Sequence, residues 1–189
     1  MGDATYRERT WTRQEYDRLI GIGVLHGGEP IELIEGRLIV REPQNTPHST
    51  AVELALDSLR AVFGAGWRVR AGLPLALDAL SEPEPDVSIV RGTPRDSLHD
   101  HPAQASLVVE VAESSLGFDR TVKAMMYARA GVEDYWIINL VDRLVEIHRE
   151  PLPAGSQSRY LRIDIARPGD TLSPLAAPQA RIPVADLLP

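Results

Sequence analysis

Hydrophobic positions along this 189-residue chain switch between helical and strand spacing several times. Thr12-Arg13-Gln14-Glu15 has the form of a capping box, and Tyr16, Leu19 and Ile20 follow at helical spacing. That predicts a first helix over 12–22. Two β-prone arms from Ile31 to Arg41 meet at Glu35-Gly36, which predicts a hairpin. Pro43, Asn45 and Pro47 mark 42–47 as a loop. From His48 to Phe63, Val52, Ala55, Leu56, Leu59 and Val62 keep a 3.6 period, so an amphipathic helix is expected, with Gly64 as its C-terminal cap.

Strands are predicted at 67–71, 74–78, 86–91 and 106–112, with a polar loop over 92–104. A helix follows over 118–130, and Gly131 ends it. Glu133–Leu140 and Arg143–Arg149 read as a hairpin turning at Val141-Asp142, with a further strand near 159–165. A Pro-rich tail closes on the short apolar run Val184-Ala185-Asp186-Leu187-Leu188. Helices flanking a mixed sheet, in one domain spanning 1–189, is the expected α/β architecture.

Two acidic residues interrupt this pattern. Asp86 opens the β-branched run Pro85-Asp86-Val87-Ser88-Ile89-Val90, and alternation puts Asp86, Ser88 and Val90 on one face. Pro85 fixes its own φ and restricts Glu84, which helps to aim the next side chain. Glu110 lies inside Leu107-Val108-Val109-Glu110-Val111-Ala112, a strand apolar on both sides and therefore central. A carboxylate there is expensive unless a metal ion, a cation or a raised pKa compensates it. Lys123 follows 13 residues later on the predicted helix, sharing a face with Met126, Tyr127 and Ala130. Two strand carboxylates and a lysine meet the needs of metal-dependent phosphodiester cleavage. The carboxylates hold a hard divalent cation, and the lysine orients water or neutralises developing charge.

Each residue also has a plainer reading. Asp86 could pair with an arginine or cap a turn at the strand start. Glu110 could be a buried salt-bridge partner. Lys123 could form a surface pair with Asp119 at i, i+4, worth only about 0.3–0.5 kcal/mol. His99 and His101 form an HxH pair in a polar loop with no evident third ligand. Gly-rich phosphate loops, a Gly-x-Ser-x-Gly elbow and a helical HExxH are all missing, so nucleophilic hydrolase chemistry has no support.

The composition narrows the setting. The 43% hydrophobic and 25% charged fractions are those of an ordinary globular chain. With no cysteine, disulfides and thiolate metal sites are excluded. Residues 1–7 show no apolar leader, and no stretch approaches the roughly 18 apolar residues of a membrane span. No membrane association and a cytoplasmic setting are expected. Twenty basic against 27 acidic residues give a net charge of −7, which counts against a broad electrostatic footprint for nucleic acid but not against a local one.

In the order and spacing of several blocks, the chain resembles a large bacterial family of putative restriction endonucleases within the PD-(D/E)xK nuclease-like superfamily. The blocks are Ile31-Glu32-Leu33-Ile34-Glu35-Gly36-Arg37-Leu38, Pro47-His48, Glu84-Pro85-Asp86-Val87, Leu107–Val111, Asp119 through Lys123 to Val132, Glu133–Ile138 and Ile182–Leu188. Together they cover roughly 10–188. The superfamily pattern places a lysine two positions after the second acid, where this chain has Ala112. The family resembled carries that lysine on the next helix, which maps to Lys123.

The resemblance implies a restriction-endonuclease-like mixed sheet flanked by helices and a Mg²⁺- or Mn²⁺-dependent nuclease acting on DNA. Asp86 and Glu110 would bind the metal, Glu32 would assist, and Lys123 would serve catalysis. Glu35 stands where that family more often has aspartate, and His48 matches a recurrent histidine of unassigned role. The apolar hairpin 135–148, with Tyr135 and Trp136, would support a homodimer. The alternative is a non-catalytic nuclease-fold module that binds nucleic acid or a protein partner. The acidic balance and the displaced lysine favour it, and divalent-metal binding at Asp86 and Glu110 discriminates the two.

Overall fold

The computed structural model describes residues 8–26, 28–41 and 43–189. Residues 1–7, where no apolar leader is expected, and Glu42 at the start of the expected 42–47 loop lie outside the described residues. The first helix, α1 (Arg13–Gly21), begins with the expected capping box, Thr12 and Glu15 each accepting from the other's backbone N–H. The hairpin of β1 (Ile31–Ile34) and β2 (Arg37–Val40) turns on Glu35 and Gly36, whose φ values of 52° and 74° are those of a two-residue primed turn.

Helix α2 (Thr46–Val62) starts two residues earlier than the periodicity indicates. The residues read as loop supply its start instead: Asn45 caps the N–H of His48, and Pro47 fits the first turn. It ends through Phe63 at φ −98° and ψ 111°, so Gly64 is not used as a left-handed cap.

Six strands form the main sheet: β3 (Trp67–Ala71), β4 (Val87–Arg91), β5 (Leu107–Ala112), β6 (Asp134–Asn139), β7 (Leu144–Leu152) and β8 (Arg159–Ala166). They lie in the order β3-β4-β5-β6-β7-β8, and every neighbouring pair is antiparallel except β5–β6. The parallel pair requires a crossover, and that crossover carries Lys123. It runs through a short α3 (Leu116–Phe118), a π turn over Asp119–Lys123 and α4 (Ala124–Arg129). Gly131 ends it at φ 76°, as expected.

No strand forms at 74–78. That segment is extended, but its N–H groups bond to scattered carbonyls: Leu75 to Pro83 and Ala76 to Pro102. Prolines at 74, 83 and 85 deny it a continuous ladder. The polar loop 92–104 holds one 3-10 turn, Pro94–Ser97.

One sheet face packs on α2 through Val87, Ile89, Leu107, Val109, Trp136 and Ile147, and the apolar close of the chain, Val184–Leu187, joins this core with β9 (Thr171–Leu172) and β10 (Ile182–Pro183). The opposite face packs on α4 through Val90, Val108, Tyr135 and Ile137. Tyr135 and Trp136 are thus buried within the chain, 0% and 1% exposed, on opposite faces. They are core residues, so these two side chains present no surface to a second copy. Among the described residues, no helix is long and apolar enough to cross a membrane.

Candidate active site

Strand alternation places Glu110 on the α4 face of β5 together with Val108 and Ala112. The β4–β5 register pairs Val87 with Val109, so Asp86, one residue before β4, stands alongside Glu110 on that face. Asp86 is firmly oriented. Its Oδ2 accepts the Val111 N–H at 2.8 Å, its Oδ1 accepts from the Gln44 side-chain amide at 3.3 Å, and His48 Nε2 lies 3.4 Å from Oδ2. His48 can reach it because the Asn45 cap starts α2 at this end of the sheet.

Lys123 closes the group from the crossover. Its Nζ lies 3.0 Å from Glu110, 3.7 Å from Asp119 and 4.0 Å from Glu32. The π turn brings Asp119 and Lys123 inward together. The Ala124 N–H bonds to the Asp119 carbonyl five residues back, which widens the helix by one residue. Tyr127, one turn on, donates its hydroxyl to Glu110 at 2.8 Å. Glu32 arrives from β1, with Arg41 Nε 3.2 Å away. Glu32, Arg41, His48, Asp86, Glu110, Asp119 and Lys123 line a cleft of about 350 Å³, with Tyr127 buried behind Glu110.

Its electrostatics are unbalanced. Three carboxylates, from Glu32, Glu110 and Asp119, stand within 4.0 Å of one buried ammonium, Asp86 lines the same cleft, and Arg41 is at its edge. Burial is the largest influence on Glu110 and raises its pKa to about 8. Lys123 opposes that rise, while Asp86, Asp119 and Glu32 add to it. Burial likewise raises Glu32 and Asp119 against the pull of Lys123. Burial disfavours charge on Lys123, but the surrounding carboxylates outweigh it and its pKa rises. At His48, burial is the largest single influence and lowers the pKa, but the hydrogen bond and charge of Asp86, with smaller contributions from the Val111 backbone and Asp119, together outweigh it, so the imidazole pKa is raised.

The structure therefore brings Asp86, Glu110, Lys123 and Glu32 into one cleft, as the sequence predicts. The surface-pair reading of Lys123 with Asp119 fails on exposure: the two are 9% and 1% exposed. Asp119 is a member of the cleft that sequence reasoning missed, although its i, i+4 spacing to Lys123 pointed to it. Gln44 and Tyr127 carried no comparable signal. Glu35 lies apart in the hairpin turn, held by Arg129, which also pairs with Asp78 at 2.9 Å. His99 and His101 are exposed in their loop.

All the acidic donors are hard oxygens, which suits a magnesium-like or manganese-like cation. Glu32 Oε1 and Asp119 Oδ1 are buried and accept no hydrogen bond, and each has only an ion-pair neighbour, Arg41 Nε at 3.2 Å and Lys123 Nζ at 3.7 Å. Among the described residues, no three Asp, Glu or His side chains already stand at metal-ligand spacing. The Lys123 ammonium lies among these carboxylates as their counter-ion. The donor set fits a hard cation in chemistry, and loading requires the carboxylates to regroup around it.

The sequence model of the Uma2 family, described as "putative restriction endonuclease", matches residues 13–185. No curated protein matches the chain. Among solved structures, the fold is similar to the crystal structure of a putative nuclease belonging to DUF820 from Anabaena variabilis. The TM-score is 0.69 at 18% identity, over 89% of this chain and 96% of that one. At that identity the likeness concerns the fold, a mixed sheet flanked by helices.

Proposed function

The chain belongs to the Uma2 family of putative restriction endonucleases, and on that premise we propose that it is a metal-dependent nuclease hydrolysing phosphodiester bonds in DNA. The family and the solved neighbour support a nuclease-like function at the coarser level. The observation that carries the finer reading is the buried carboxylate excess. Three acidic side chains lie within 4.0 Å of one ammonium, Asp86 lines the same cleft, and two of the carboxylate oxygens accept no hydrogen bond. Such an excess is costly in a cleft that no further cation enters.

In this reading Asp86 and Glu110 hold Mg²⁺ or Mn²⁺, with Glu32 assisting. The bound cation would supply Lewis-acid polarisation of the phosphate and an acidified water. Lys123 then offers its ammonium to the negative charge that develops on the phosphate, or orients the attacking water. The Val111 N–H, Gln44 and His48 keep Asp86 aimed at the cleft. Asp119 balances Lys123 from the same helix.

A second reading has a specific observation in its favour. Lys123 is engaged by three carboxylates within 4.0 Å, the arrangement of a self-compensated structural cluster. That suits a non-catalytic module binding nucleic acid or a protein. Incubating plasmid and single-stranded DNA with wild type and Lys123→Ala, in Mn²⁺ and in EDTA, separates the two. A nuclease cleaves only with Mn²⁺, and Lys123→Ala loses about 10²–10³ in rate while Mn²⁺ affinity holds. A binding module cleaves nothing, and the same substitution weakens DNA affinity and lowers its salt slope by about one. Cleavage undiminished in Lys123→Ala would remove the lysine from the chemistry.

A further inference from the structure

The two edges of the main sheet are treated differently. At one edge, β3 carries Arg68 and Arg70. Arg70 is buried and bonds the Pro74 carbonyl, and Arg91 covers Trp67 at 4.2 Å. Inward-pointing charge of this kind blunts an edge against association. At the other edge, β8 has no buried charge of this kind, since its charged residues Arg159, Arg162 and Asp164 are exposed or half-exposed. Its eight residues contain no proline and no lysine. Leu161, Ile163 and Ile165 alternate along one face and are 58%, 55% and 49% exposed. Among the described residues, nothing pairs with β8 except β7.

We propose that β8 is a homodimer interface, pairing antiparallel with β8 of a second copy about a two-fold axis at Ile163, so that the two six-stranded sheets become one. The occupant follows from the order of the side chains. With Ile163 opposite its own copy, Leu161 faces Ile165 of the partner, and Ile165 faces the partner's Leu161. On the other face Arg162 lies opposite Asp164 in both directions. Within one chain Arg162 Nε already bonds Asp164 Oδ2 at 2.7 Å, so dimerisation joins two exposed ion pairs into a four-charge cluster. Sliding the register by two residues sets Arg162 against Arg162, or Asp164 against Asp164. Like charges directly opposite are unfavourable, so the strand specifies a single self-complementary register.

Only one strand per copy is buried, so the expected complex is a reversible dimer of micromolar strength rather than an obligate one. The inference rests on the sheet edge and stands or falls apart from the nuclease reading. The test is sedimentation equilibrium of the full chain across the micromolar range, with hydrogen exchange at high and low concentration. Wild type should dimerise, with extra amide protection confined to β8. Ile163→Lys places two like charges on the axis and should raise the dissociation constant at least about 100-fold. Ile163 is half-exposed, so at low concentration, where both proteins are monomeric, the melting temperature of the variant should match that of wild type. Arg162→Asp should also dissociate the dimer, and Arg162→Asp with Asp164→Arg should restore it. A wild type that stays monomeric throughout overturns the proposal. So does a dimer that Ile163→Lys leaves intact, or a double charge swap that fails to restore association.

Discussion

Glu110→Gln is the most informative single change, because it separates a carboxylate kept for binding from one kept for structure. Glu110 is 3% exposed. Its pKa rises from 4.5 to about 8, chiefly by burial, with Lys123 opposing and three carboxylates adding. In the unfolded chain the group titrates near its ordinary value. Between the two values the folded protein retains a proton that the unfolded chain has released. Stability contributed by this proton is therefore present below about 4.5 and is lost as pH rises toward 8. At about 1.4 kcal/mol per pH unit, the whole loss is roughly 5 kcal/mol at most.

Glutamine has no proton to lose, so this part of the pH dependence should vanish in Glu110→Gln. An opposing contribution is the lost partner of Lys123, which still has Asp119 and Glu32 within 4.0 Å. The expected outcome is a variant equal to wild type near pH 5 and more stable by a few kcal/mol near pH 8.5. Urea unfolding of both proteins at the two pH values measures the difference. In parallel, Mn²⁺ should raise the melting temperature of wild type and leave that of the variant unmoved. Parallel pH slopes, or a variant several kcal/mol weaker at both values, would refute the reasoning and make Glu110 a structural ion-pair residue.

Other outcomes are expected elsewhere in the cleft. Asp119→Asn should reduce cleavage while leaving Mn²⁺ affinity within a few-fold, read by calorimetric titration, because Asp119 acts on Lys123 rather than on the cation. His48→Gln should keep most of the cleavage rate and His48→Ala should lose about tenfold or more, if the imidazole serves to orient Asp86 by a hydrogen bond; equal rates in the two variants would dismiss that role. Tyr135→Phe removes the hydroxyl that donates to the Asp119 carbonyl at 3.2 Å. It should cost about 1 kcal/mol in urea unfolding.

Much of this arrangement was legible in the sequence, for identifiable reasons. The Glu35-Gly36 hairpin was readable because few residues tolerate two successive positive φ values. Glu110 stood out because its strand is apolar on both sides, and strand alternation correctly set Asp86 opposite to Val87 and Ile89. The same two-sided reading applies to β6. It explains why Tyr135 and Trp136 are core, where an interface had been expected. The 74–78 segment misled because an extended chain between prolines has strand-like composition without a ladder. The contact of His48 with Asp86 spans 38 residues and depends on where α2 begins, which local periodicity does not specify. The widened turn at 119–123 was invisible, since apolar residues on either side remain compatible with ordinary helical spacing.

That widened turn has a genetic consequence. It contains one residue more than an α-helix of the same rise requires, and each residue of a helix turns about 100°. Deleting a single codon between Asp119 and Lys123 would relax the segment into a regular helix with its apolar face still able to pack. Either the lysine or the chain leading to it would then swing by that angle, away from Glu110. One in-frame deletion could thus strip a descendant of this gene of its cleft chemistry while preserving its fold. In sequence alignments of descendants, a one-residue gap at this helix would be the mark to look for, even where Asp86, Glu110 and the lysine itself are all retained.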